Sequence, residues 1–103
     1  MSSSVKEGVS VLGLQPCMFF AFLVAGEAYK DHGFDCVLTS GTDSKHGDHS
    51  HHYKGYAIDI RIRDISEGIL TKIVEEIQFR LQSQFQVILE GDHIHIEFDP
   101  KQM

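Results

Sequence analysis

Tyr56-Ala57-Ile58-Asp59-Ile60-Arg61-Ile62 alternates without a break. Side chains on a β-strand point to opposite faces with a period of two. Tyr56, Ile58, Ile60 and Ile62 therefore share one face, and Ala57, Asp59 and Arg61 share the other. The first face can seal a core, while the second carries a carboxylate and a guanidinium. His93-Ile94-His95-Ile96-Glu97-Phe98 behaves the same way. Ile94, Ile96 and Phe98 oppose His93, His95 and Glu97. Phe85–Glu90 reads as the preceding strand, joined through Gly91-Asp92, a dipeptide suited to a tight hairpin turn.

Between these strands, Ser66 can cap a helix running to about Ser83. Ile69, Leu70, Ile73, Val74, Ile77 and Leu81 form its core stripe, and Lys72, Glu75, Glu76 and Arg80 lie outside. Upstream, Pro16 suits a first helical turn because its missing N–H needs no partner there. That helix is expected to run to His32 and stop at Gly33, a left-handed cap. Met18, Phe19, Phe20, Phe22, Leu23 and Val24 lie on most of its sides, so it is expected to be largely buried. Asp35–Thr39 reads as a short strand and Met1–Ser4 as a frayed start. Ser40–Gly55 is rich in glycine, serine and histidine and has no periodicity, which makes it a long loop of the functional kind. The order helix, strand, loop, strand, helix, hairpin predicts an α+β fold. Its sheet is small and mostly antiparallel, with two main helices on one face.

A chain of 103 residues supports one domain, 1–103, with one modest core. Net charge is −6, which opposes a phosphate-tracking surface, so no nucleic-acid partner is expected. The apolar run Val11–Val24 is interrupted by Gln15 and Pro16 and is shorter than the ~20 residues of a membrane span. It lacks a basic start and a small-residue cleavage site, so no signal peptide is visible. The protein is expected to be a monomer, cytoplasmic until released to its site of action. The two cysteines, Cys17 and Cys36, form no C-x-x-C pair and read as free, buried thiols.

Histidine is the unusual residue. Of seven, six fall in two clusters: His46, His49, His51 and His52, then His93 and His95. If the strands of Asp59 and of His93/His95 are neighbours, the carboxylate and an imidazole can meet across ~5 Å. His52 stands seven residues before Asp59, on the loop leading into the same strand. Two imidazoles and one carboxylate form a catalytic zinc set, with a fourth position left open. A structural zinc site would be closed by four ligands, usually with cysteine. Hydrolysis also needs a proton carrier, and Asp92 or Glu90 can serve.

Thr39–Arg61, T-S-G-T-D-S-K-H-G-D-H-S-H-H-Y-K-G-Y-A-I-D-I-R, resembles the zinc D-alanyl-D-alanine carboxypeptidase family, which includes phage L-alanyl-D-glutamate endolysins. Its hallmark S-x-H-x-x-G-x-A-x-D is matched by Ser50, His52, Gly55, Ala57 and Asp59. A second hallmark, an acidic residue followed by two residues and a histidine on a late strand, is matched by Asp92-His93-Ile94-His95. The resemblance implies the fold that these peptidases share with hedgehog signalling domains, and cleavage of peptide bonds in peptidoglycan stem peptides. It implies zinc held by His52, Asp59 and His95, with Asp92 as acid/base. His93 would polarise the carbonyl or stabilise the oxyanion. In a shifted register, Glu90 is the base and His93 the ligand. Relatives that bind a substrate carboxylate often carry an arginine shortly after the T-S segment. Gly41-Thr42-Asp43 stands there, which leaves Arg61 or Arg63 as substitutes, while His46 matches a recurrent family histidine. The alternative implied by the same fold is a zinc-bearing binding module that hydrolyses nothing.

Overall fold

The computed structural model describes residues 1–42 and 54–100. Its elements are β1 (Ser3–Val5), α1 (Pro16–Asp31), β2 (Cys36–Ser40), β3 (Ala57–Arg61), α2 (Glu67–Leu81), β4 (Phe85–Leu89) and β5 (His93–Phe98). The five strands form one sheet in the order β1-β2-β3-β5-β4. Every pairing is antiparallel except β1 with β2. The α+β architecture with a mostly antiparallel sheet is as the alternation patterns require.

Both helices pack on one face of the sheet. Ile58, Ile60, Ile94 and Ile96 are fully buried there against Met18, Tyr29, Ile73 and Ile77. On α2 the expected stripe faces inward, with Leu70, Ile73, Ile77 and Leu81 buried and Ile69 and Val74 partly so. Gln78 fastens this helix to the edge strand. Its side-chain amide donates to the carbonyls of Gln82 and Phe85 and accepts from the Val87 N–H at 3.0 Å.

Helix α1 departs from expectation. Its buried residues are Met18, Ala21, Ala25, Ala28 and Tyr29, while Phe19, Phe20 and Leu23 are exposed at 45%, 55% and 68%. The stripe that meets the sheet is mainly alanine, which lets the helix lie close, so the bulky residues on the far side find no second layer to cover them. Gly33, at φ 83°, ends the chain's helical course in the left-handed region, as read from the sequence. Tyr29 is wholly buried, and its hydroxyl donates to the Arg61 carbonyl at 2.8 Å, tying α1 to the end of β3.

The start of the chain is not frayed. Ser3–Val5 pairs in parallel with Cys36–Leu38, and Lys6 N–H continues to the Leu38 carbonyl. A three-residue strand with an exposed serine-rich face has no periodicity to betray it; backbone bonds hold it, with help from the Asp35 carboxylate, which accepts from Ser2 N–H at 3.0 Å. Gly55 sits at φ 80° and accepts from Gln15 N–H. A Cβ there would collide with the Gly13 carbonyl, so only glycine lets the chain lead into β3 against the start of α1. Cys17 and Cys36 are free; Cys36 is buried and Cys17 half-buried. Burial pushes the Cys36 thiol up to about 12, away from reactivity. No helix among the described residues is long and apolar enough to cross a membrane.

Candidate metal centre

The face of the sheet away from the helices carries the chemistry. In the β3–β5 ladder, Asp59 stands directly opposite His95, Arg61 opposite His93 and Ala57 opposite Glu97. Because both strands alternate, the isoleucines that seal the core force these polar residues onto one surface. The sheet register thus makes the juxtaposition that the two sequence patterns allow.

Asp59 is nearly buried, with its side chain 9% exposed. One of its oxygens, Oδ1, lies 2.9 Å from His95 Nδ1 and 3.5 Å from His93 Nε2. Asp59, His93 and His95 each offer a donor atom within 4.8 Å of the others, and together they could hold a metal ion. A carboxylate oxygen and two imidazole nitrogens match the borderline-soft preference of zinc and its neighbours, which is the fit the donor chemistry requires. Each histidine has a second carboxylate partner. Asp92 Oδ1 is 2.6 Å from His93 Nδ1, and Glu97 Oε1 is 2.8 Å from His95 Nε2. Glu90 Oε1 lies 3.7 Å from His93 Nε2, the nitrogen that faces Asp59.

Burial alone would lower the His95 pKa. Hydrogen bonds and charge from Asp59 and Glu97 outweigh it and hold the imidazole above its usual range. Proton and metal would therefore compete for the same nitrogen.

Beside the centre is a hollow of about 420 Å³ whose wall includes His93, Asp92, Lys6, Arg61 and Arg63. Three cations meeting at one hollow is notable in a chain of net charge −6. Among the described residues no carboxylate forms an ion pair with these three side chains.

Of the residues singled out from sequence, Asp59, His93, His95 and Arg61 share this one face, and Asp92 touches it through His93. His46 and His52 lie outside the described residues. Asp92 is 93% exposed and reaches His93 rather than His95. Two residues gain importance that the sequence did not give them. Glu97 reads equally well as a solvated strand end, yet its side chain is only 14% exposed and bonded to His95. Lys6 gives no signal at all, because β1 places it and β1 has no pattern. Comparison with family models, curated proteins and solved structures returns no match.

Proposed function

We propose that the protein is a zinc-dependent peptidase acting on the stem peptides of peptidoglycan. The observation that carries this reading is the Asp59/His95 pair, in direct register across two strands, with His93 beside it. Asp59 and His95 would hold the ion, with His52 as the further ligand expected from the sequence motif. Bound there, zinc would supply a Lewis acid that polarises the scissile carbonyl and acidifies water.

The chain's own residues supply the proton chemistry. In the tautomer with its proton on Nδ1, His93 donates to Asp92 and its Nε2 lone pair faces inward. The Asp92–His93 pair takes a proton from the attacking water at Nε2 as the new C–O bond forms. It returns that proton to the departing amine as the C–N bond breaks. Lys6, Arg61 and Arg63 favour an anionic part of the substrate, such as a stem-peptide carboxylate, in the adjoining hollow.

A second reading is favoured by the closeness of three donor atoms and of Glu90. In it, His93 is a metal ligand and Glu90 the base. Mass spectrometry of peptidoglycan digests, with zinc and with chelator, tests the function. Zinc-dependent release of stem-peptide amines is expected, and wall fragments left intact by zinc-loaded protein would contradict it. Zinc retained by H93A, with D92N inactive and E90Q active, selects the Asp92–His93 pair. Zinc lost from H93A, with E90Q inactive, selects the second reading.

A further inference from the structure

We infer that Glu97 is a positioning residue that fixes which nitrogen His95 presents to the metal, an inference that rests on the metal-centre reading above. Residues 93, 95 and 97 share one face of β5, so Glu97 is the next side chain along from His95. Its neighbours across the two ladders are Ala57 on β3, short and fully buried, and Gln86 on β4. The glutamate turns along its own strand, and its Oε1 reaches His95 Nε2 at 2.8 Å. At 14% exposure its carboxylate is held out of bulk water, where an unpaired charge would be costly.

A neutral imidazole carries one proton on one of its two nitrogens, and only the other has a lone pair to give. Asp59 lies at Nδ1 and Glu97 at Nε2. With a metal beside Asp59, the ligating nitrogen is Nδ1, so the proton belongs on Nε2, where Glu97 accepts it. The carboxylate also makes the ring a stronger donor and stops it from rotating. Such outer carboxylates are worth about 10–100-fold in metal affinity. Its contact with His95 does not involve His93, so this role is the same whether His93 is a ligand or part of the proton-carrying pair.

The test combines zinc affinity, measured by competition with a chromogenic chelator, with ¹⁵N imidazole NMR of the zinc-loaded protein. In the wild type, His95 should carry its proton on Nε2 and bind through Nδ1. E97A should weaken zinc about 10–100-fold. E97Q, whose amide oxygen can still accept from Nε2–H, should recover part of that loss and keep the tautomer. Affinity in both variants within twofold of the wild type, or zinc on Nε2, overturns the inference while leaving the metal centre standing. A wild-type protein that binds no zinc overturns the metal-centre reading itself, and this inference with it.

Discussion

Ile58 and Ile60 flank Asp59 in the chain, yet the three residues obey different physics. The isoleucines are fully buried among α1 and α2 and gain stability from apolar contact. Asp59 faces the other way, almost as buried, among two imidazoles and the carboxylates that hold them. One face of the sheet is built for cohesion and the other concentrates charge. The difference teaches that burial alone does not mark the core of this protein. The test is whether a buried residue's neighbours are apolar or able to bind a proton or an ion.

The contrast breaks most sharply on substitution. Ile60→Ala should cost about 2–5 kcal/mol, the usual range for truncating a buried aliphatic side chain. His93→Ala, on the other face, should cost about 1 kcal/mol or less. Urea midpoints of the two variants check this, and equal losses would erase the distinction between the faces. Gly55→Ala should follow, costing about 1–3 kcal/mol, because it forces a left-handed backbone and a clash with Gly13 where β3 begins. An unchanged midpoint would mean that the lead into β3 is free to adjust.

The smallest effect concerns the polar face without metal. His95 is held above its ordinary pKa of ~6.5, so the folded state binds its proton more tightly than the unfolded chain does. Its contribution to stability is full below about 6.5 and is lost as pH rises through the folded value. In chelator, the stability difference between wild type and H95N should therefore shrink from acid to alkaline pH. A difference that grows with pH would contradict the sign.

Both faces of the sheet were legible in the sequence because strict alternation leaves little choice. Once Ile58, Ile60, Ile94 and Ile96 turn inward, Asp59, His93 and His95 must turn outward. What the pattern could not supply was register: Asp59 meets His95 because β3 and β5 pair with those residues opposed. The misreadings have local causes. Phe19, Phe20 and Leu23 are as apolar as any core residue, and only the alanine stripe on their helix betrays which side meets the sheet. Ser3–Val5 joins the sheet through backbone bonds, which leave no trace in side-chain type. Glu97 was assigned the correct face, but a carboxylate two residues from a histidine can equally turn to solvent, and only the folded strand shows it bonded to His95.

Whether the polar face holds a metal is decided most directly by measuring zinc bound per chain in the wild type, D59A and H95A after purification and dialysis against zinc. One equivalent is expected in the wild type, and a loss to background in both variants with the fold intact by circular dichroism. Background zinc in the wild type, or a full equivalent retained by both variants, would contradict a metal centre on Asp59 and His95.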